Sequence, residues 1–383
     1  MSSETTSAAG ERLRRSRRLV LKVGSAILCG ADGVRAEWLA ALAAELTALR
    51  ENGVDVVIVS SGAIALGRAR LKLGSGLRLD EKQAASAAGQ AALAHAWETA
   101  FAAHDLPVAQ ILLTLEDTED RRRYLNARST FRTLLDLGAV PVVNENDTVA
   151  TSEIRYGDND RLAAHAAQLV EADTLLILSD VDGVYDADPR ANAAAKRFDV
   201  IETITPEIEA AAAGPNAARG VGAGGMASKL AAAKIAGNSG CATIIAPGHV
   251  DAPLARVFEG GPSTLILADG PAANARRRWI GGRIKPAGEI HIDAGAERAL
   301  QSGSSLLPAG VTRVEGDFMR GDAVAIFGPG GKCIGNGLSA YNANEVMLIA
   351  GRRSEDIEDM LGYKRRPAII EKNDLALNEK TTK

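Results

Sequence analysis

The chain has 383 residues, 46% hydrophobic and 24% charged, with a formal net charge of −4 and a pI near 5.9. That length allows a sizeable core shared among roughly two or three domains, and the balance is that of an ordinary globular protein. There is no global electrostatic case for nucleic acid or an acidic membrane surface, and no apolar run reaches the ~20 residues that a membrane-spanning helix needs.

The three cysteines, Cys29, Cys241 and Cys333, are scattered, odd in number and without CxxC or metal-ligand spacing. A reducing cytoplasm is their simplest home. Ser16 to Lys22 has the look of a twin-arginine export signal, but Lys22 and Gly24 interrupt the apolar run and no small-residue cleavage site follows. Residues 1–17 are expected to form a disordered polar tail.

Leu19 to Val23 reads as a short buried strand ending in Lys22-Val23-Gly24-Ser25. A lysine there costs desolvation unless it meets an anion or snorkels out at the strand end, and the glycine lets the backbone approach a ligand. In Ala36 to Asn52, Leu39, Leu42, Leu46 and Leu49 share one helical stripe, with Gly53 at the C-terminal cap position. Val54 to Val59 is a second strand, running into Ser60-Ser61-Gly62, a strand–turn–helix junction able to face an anion. Strand, helix, strand in that order implies a parallel sheet with right-handed crossovers.

Gln83 to His104 is an alanine-rich helix, Val108 to Leu113 a strand, and Tyr124 to Leu137 a helix closed by Gly138. Val140 to Val143 is a further strand that breaks into Asn144-Glu145-Asn146-Asp147 and, after a polar loop, Gly157-Asp158-Asn159-Asp160. In an open α/β sheet such a loop lies at the carboxyl edge where ligands bind. Its amides and carboxylates suit a small ligand bearing an ammonium and a carboxylate, or a lysine to be held in place; a turn-rich solvated loop has the same composition.

Leu162 to Val170 is a helix, and Thr174 to Leu178 a strand ending in Ser179-Asp180. Val181 to Tyr185 reads as a hairpin on its Asp-Gly turn. His95, His104 and His165 lie in helical segments without metal spacing. Arg219 to Lys229 contains Gly220, Gly222 and Gly225 in dinucleotide-fingerprint spacing, but it follows no strand and lacks the later acidic residue. It is better read as a loop of backbone donors able to cover phosphates, with Lys229 at the start of a helix. Cys241 to Ala246 is the last strand of this part. From about Asp269 the texture changes. A basic connector carries Arg276-Arg277-Arg278, Arg283 and Lys285. Short segments with glycine turns follow at Glu289–Asp293, Ser305–Leu306, Val311–Glu315, Ala323–Phe327 and Lys332–Gly337, the pattern of a small β-rich domain.

Taken in order, KVGS at 22–25, SSGAIALG at 60–67, LNAR at 125–128, NENDTVA at 144–150, GDND at 157–160, GVGAGGMASK at 220–229 and SGSSLLPAGV at 302–311 resemble the bacterial glutamate 5-kinase family. The resemblance runs from Leu19 to about Tyr363. It implies a three-layer αβα sandwich with a mainly parallel open sheet, the amino acid kinase fold, and a small C-terminal β-rich PUA domain. The implied division is a tail at 1–17, a catalytic domain at 18–270, a linker at 271–285, a PUA domain at 286–365 and a C-terminal tail at 366–383.

The activity it implies is transfer of the γ-phosphoryl of MgATP to the side-chain carboxylate of L-glutamate, the first step of proline biosynthesis, in the cytoplasm. By the same resemblance, Ser61, Asp147 and Asn159 hold glutamate with Asn144 accessory, Lys22 and Lys229 are cationic partners of the phosphoryl group, and Asp160 orients them. Ser179 and Asp180 fall at a nucleotide position, and Ala223, Gly224, Gly225, Met226, Ala227, Ser228 and Lys229 form the second nucleotide loop. Mg²⁺ is expected to ride on nucleotide phosphates, without a protein metal site. Proline as feedback inhibitor, glutamyl phosphate reductase as pathway partner and a homo-oligomeric state are further implications. The chain departs from the family's frequent threonines at Gly24-Ser25, Ser60, Ser179 and Ala223; the serines keep a hydroxyl, whereas Ala223 leaves only backbone donors. Rival readings are a kinase of N-acetylglutamate, aspartate or carbamate, an RNA-binding protein acting through the PUA domain and the basic cluster at 276–285, and a dehydrogenase resting on the glycine match alone.

Overall fold

The computed structural model describes residues 7–30, 33–150, 159–213, 225–268, 286–363 and 367–378. The chain divides into two units, Met1–Ala272 and Ala273–Lys383. The first is built on an eight-stranded sheet. Its elements in chain order begin with α1 (Ala8–Arg14), β1 (Arg18–Val23), α2 (Ser25–Leu28), a two-residue pair β2 (Cys29–Gly30) and β3 (Gly33–Val34), α3 (Ala36–Glu51), β4 (Asp55–Ser60), α4 (Ala63–Arg70) and α5 (Leu79–Ala102). They continue with β5 (Val108–Leu113), α6 (Leu115–Glu119), α7 (Arg121–Asp136), β6 (Val140–Glu145), α8 (Asn159–Val170), β7 (Thr174–Ser179), β8 (Val200–Ile201), α9 (Pro206–Ala213), α10 (Met226–Gly237), β9 (Ala242–Pro247), α11 (Pro253–Phe258) and β10 (Thr264–Ile266).

The strand order is β5-β6-β4-β1-β7-β9-β10-β8. All neighbours are parallel except the antiparallel β9–β10 pair. The β-branched apolar runs dictate this burial, because a strand covered on both faces reads as continuously hydrophobic. From β1 the chain moves to β4 on one side, then later crosses to β7 on the other. That reversal places a topological switch point beside β1, where open α/β sheets bind ligands.

Side-chain parity separates two cores. Leu19, Leu21 and Val23 of β1 pack with Leu39, Leu42 and Leu46 of α3 and with Leu93 and Trp97 of α5. Val20 faces the other way, toward the alanines of α8 and α10. Three layers result, with α1, α3, α5 and α11 on one face and α7, α8 and α10 on the other.

Residues 7–17 correct the expectation of a disordered tail at 1–17, of which residues 1–6 lie outside the described residues. From Ser7, whose hydroxyl caps the first turn, α1 docks through buried Ala9, Gly10 and Leu13. Arg14 reaches the Phe258 carbonyl of α11 at 2.8 Å, Arg12 donates to the Asp173 carbonyl, and Ser16 meets Thr174 at 2.6 Å. Arg12 and Arg14, expected in a solvated tail, instead donate to backbone carbonyls. The hairpin expected at Val181–Tyr185 is also corrected. The chain bends at Gly183, with φ +150°, but Tyr185 makes an isolated antiparallel bridge to Arg197.

The second unit is a five-stranded sheet of order β12-β11-β13-β14-β15, with β11 at Gly288–Ile292, β12 at Val311–Gly316, β13 at Ala323–Phe327, β14 at Cys333–Leu338 and β15 at Leu375–Leu377. Ile290, Val324, Ile326, Phe318 and Tyr341 fill its core. Ser305–Leu306 is not a strand; Leu306 makes a lone bridge to Ile370. The expected C-terminal tail is corrected too: Ile369 and Ile370 are buried, and β15 extends the sheet beside β14.

Leu13→Ala removes a fully buried side chain, and we expect a loss of about 3 kcal/mol in urea unfolding of the full chain. A loss below about 1 kcal/mol would mean that α1 contributes no packing to the unit.

Candidate active site

The carboxyl ends of β1, β4, β6 and β7 line one edge of the sheet. Alternation along β1 puts Lys22 on the same face as Val20, toward α8 and α10. There its Nζ lies 2.5 Å from Asp160 Oδ1, while Lys229 Nζ from α10 lies 3.1 Å from Asp160 Oδ2. All three residues are buried, at 8%, 1% and 4% exposure for Lys22, Asp160 and Lys229.

Asp160 sits in the first turn of α8, a position the helix dipole favours for an anion. Burial by itself would push its carboxyl up, but the two ammonium groups more than reverse this and hold it below the usual carboxylate range. Two ammonium groups converge on one carboxylate where solvent exposure is low. That concentration of positive charge suits an incoming polyanion.

Asn159, the preceding residue, turns to a different cluster. Its Nδ2 donates to Ser61 Oγ at 2.8 Å and to Asn144 Oδ1 at 2.9 Å, and Asn144 Nδ2 donates to Gln90 Oε1 at 2.8 Å. Asp147, also buried, accepts from the Ser86 hydroxyl. Burial pushes the Asp147 carboxyl up, and the Ser86 hydrogen bond only partly opposes it. Ser61, Asn144, Asp147 and Asn159 together line a cavity of ≈ 530 Å³ that also includes Arg68 and Lys82.

One wall of the cavity is the start of α4. Gly62 precedes it at φ +123°, a conformation that L side chains rarely adopt, and so turns the Ser61 strand end sharply into the helix. Ser61 N–H donates to the Val23 carbonyl, which ties this turn to β1. Trp97 Nε1 donates to Ser60 Oγ at 2.9 Å, and that hydroxyl in turn donates to the Ser61 carbonyl.

The expected nucleotide residues are less gathered. Ser179 Oγ donates to Asp180 Oδ1 at 3.0 Å, and the Ser179 carbonyl accepts from Gly248 N–H. Ser179 is buried, whereas Asp180 is exposed and lies 3.9 Å from Arg190. Gly225 caps α10, and Met226, Ala227 and Ser228 form its first turn ahead of Lys229. Ala223 and Gly224 lie outside the described residues, as do Gly157, Asp158 and the basic cluster at 276–285.

Sequence reasoning missed Ser86 and Gln90. Gln83, Ser86 and Gln90 recur at i, i+3 and i+7, one helical face, so the signal was a polar stripe in an otherwise alanine-rich helix. Gln83 Nε2 bonds the Ala150 carbonyl at 3.1 Å, pinning the loop that carries Asp147. Arg68 and Lys82 carried no comparable signal.

This arrangement, an anion-seeking lysine pair beside a pocket of amides and a carboxylate at a sheet's switch point, defines a phosphotransferase-type site of the amino acid kinase class. The profile of the Amino acid kinase family matches residues 17–247, and that of the PUA domain matches residues 288–361. Curated relatives include glutamate 5-kinases from Rhizobium rhizogenes (52% identical over 371 residues, 96% of this chain and 95% of the relative) and Cereibacter sphaeroides (52% over 366 residues, 95% and 98%). A third, from Rhodopseudomonas palustris, is 53% identical over 374 residues, 96% of this chain and 98% of the relative. Among solved structures, a UMP kinase from Ureaplasma parvum aligns with a TM-score of 0.45 at 16% identity, over 66% of this chain and 99% of that one. Within the amino acid kinases, this chain belongs to the glutamate 5-kinase family.

Among the described residues, no helix is long and apolar enough to cross a membrane. One group of side chains, Glu289, His291 and Glu315 on β11 and β12, is spaced closely enough for a metal ion. Arg313 already sits against it, bonding Glu315 and lying 3.2 Å from His291 Nε2.

Because the fold favours the ionised form of Asp160, its stabilisation is present above the ordinary value of 3.8 and is lost as pH falls toward the lower folded value. Asp160→Asn leaves two lysines buried without their anion, and chemical denaturation is expected to show a loss of about 3–5 kcal/mol at neutral pH. The gap to wild type narrows below pH 3.8. A gap independent of pH would place the compensation of the lysines elsewhere.

Proposed function

We propose that this chain phosphorylates the side-chain carboxylate of L-glutamate with ATP, giving L-glutamyl 5-phosphate and ADP at the entry to proline biosynthesis. The observation that carries the reading is the adjacency of Asn159 and Asp160. Asn159 faces the amino-acid cavity and Asp160 holds both lysines, so a substrate seated on the first presents its far end toward the second.

The nucleophile is a carboxylate already ionised at neutral pH, so the site needs no general base. A carboxylate oxygen forms a bond to the γ-phosphorus as the bond to the β,γ-bridging oxygen breaks, and that electron pair leaves with ADP. The obstacle is bringing two anions together and stabilising charge on the phosphoryl oxygens, which makes the task one of positioning and electrostatics. Lys22 and Lys229 supply compact positive charge at that point, and Asp160 fixes their direction. Asp147, an acceptor with a raised proton affinity, pairs with the substrate ammonium, whose arrival favours its ionised form. Ser61 and the N–H groups at the start of α4 can serve the α-carboxylate.

The nucleotide lies along Ser179, Asp180 and the start of α10 in this reading. Both oxygens of Asp160 are engaged by lysines, which fits a Mg²⁺ carried by phosphate oxygens and water. When bound, the ion supplies charge neutralisation on the nucleotide's β- and γ-oxygens.

Trapping the acyl phosphate with hydroxylamine is expected to give a glutamate-dependent hydroxamate in the presence of MgATP; its absence would overturn the assignment. Lys22→Ala lowers kcat by at least ~10²-fold, the scale of losing one charge-stabilising group, and a near-normal rate would return that lysine to a structural role. Asp147→Ala raises KM for glutamate with little change for ATP. Equal increases for both substrates would contradict its pairing with the ammonium.

A further inference from the structure

Gln90 touches the cavity only through Asn144, yet it sits at one end of an amide chain whose polarity decides what the cavity offers. Asn144 gives its Nδ2 to Gln90 Oε1, and so turns its carbonyl oxygen toward Asn159. The amide nitrogen of Asn159 then has both protons engaged, one on Asn144 Oδ1 and one on Ser61 Oγ. With its donors spent, Asn159 has only its carbonyl oxygen left for the cavity it lines.

The same four side chains could bond equally well in reverse. A Gln90 amide turned over would donate to Asn144, Asn144 would donate to Asn159, and the Asn159 amide protons would face the cavity. The two states differ in what Asn159 presents to the cavity that Asp147 also lines: an acceptor, which adds to the carboxylate's attraction for an ammonium, or a donor, which repels one.

Two close glycine contacts fix the backbone that carries Gln90. The residue before it, Gly89, lies against α4 so closely that an added Cβ would stand 1.9 Å from the Ala63 carbonyl oxygen. From the other side, a Cβ on Gly67 would stand 1.7 Å from the Ala85 carbonyl oxygen. This glycine crossing fixes α5 against α4, and with it the reach of Gln90 toward Asn144.

We infer that Gln90 is a positioning residue that sets the polarity of the Asn144–Asn159–Ser61 chain and thereby selects substrates bearing an ammonium. The inference rests on the amino-acid kinase reading above.

The test compares kcat/KM for glutamate with that for glutarate, which keeps both carboxylates and lacks the ammonium. Gln90→Met removes the acceptor at similar volume; it raises KM for glutamate about tenfold, the scale of one hydrogen bond, leaves KM for ATP unchanged and lowers the glutamate-to-glutarate ratio. Gln90→Glu, which when ionised can only accept, restores the ratio toward wild type; Gln90→Ala supplies the same loss as Gln90→Met should the latter not fold. A ratio unchanged in the acceptor-less variants overturns the inference, as does a Gln90→Glu variant as poor as Gln90→Met. Wild-type enzyme giving no glutamate-dependent hydroxamate is a different failure: it overturns the functional reading and this inference with it.

Discussion

Two lysines and one aspartate, removed together from water, are the constraint to which the rest of the first unit answers. Stripping an ammonium of solvent costs several kcal/mol on the scale of real proteins, and Lys22 and Lys229 both incur that cost and both pair with Asp160. A single carboxylate can accept from two partners because it has two oxygens, and each oxygen here takes one lysine. The arrangement is not what stability alone would select. It gathers two positive charges where solvent exposure is low, and electrostatics in such a setting act strongly on an anion that arrives from outside.

The triad requires three elements to meet within side-chain reach. β1 must present Lys22 toward the face carrying α8 and α10, which the two-residue alternation of the strand does without further specification. The two helices must then come close to the sheet and to each other. Ala163, Ala164, Ala166 and Ala167 of α8 and Ala232, Ala233 and Ala236 of α10 are all buried in that layer. Larger side chains there would hold the helices away from β1 and lengthen the lysine–carboxylate distances. The small residues are thus as much a part of the site as the charges.

The strands of the parallel sheet were legible because continuous β-branched runs have few other uses, and Lys22 stood out as a charge at the end of such a run. Asn159 and Asp160 were legible as a dense polar pair opening a helix. What escaped was burial achieved with few apolar residues. In α1 only Ala9, Gly10 and Leu13 face inward among arginines and a glutamate, and β15 offers three residues between Asp374 and Asn378. Asp182-Gly183 bends the chain without closing a hairpin, because the partner of Tyr185 lies twelve residues on, at Arg197, and local spacing does not announce it. Ser86 and Gln90 were hidden for another reason: a polar residue on an alanine-rich helix has no meaning until the loop opposite it is placed.

That last point separates two kinds of structure within the site. The lysine pair and Asp160 belong to the central sheet and its alanine-packed helices, and their geometry follows from the fold. The cavity lined by Ser61, Asn144, Asp147 and Asn159 is bounded instead by α4 and α5, joined at Gly67 and Gly89, and its chemistry is relayed through hydroxyls and amides. Hydrogen bonds among such groups are individually weak but directional, so a change of one side chain on α5 can reverse what the cavity offers without moving the lysines. A sheet that performs phosphoryl transfer can therefore serve different acids by altering one helix pair, with Asn159 and Asp160 adjacent on the backbone and the Ser61–Val23 backbone bond joining the two halves.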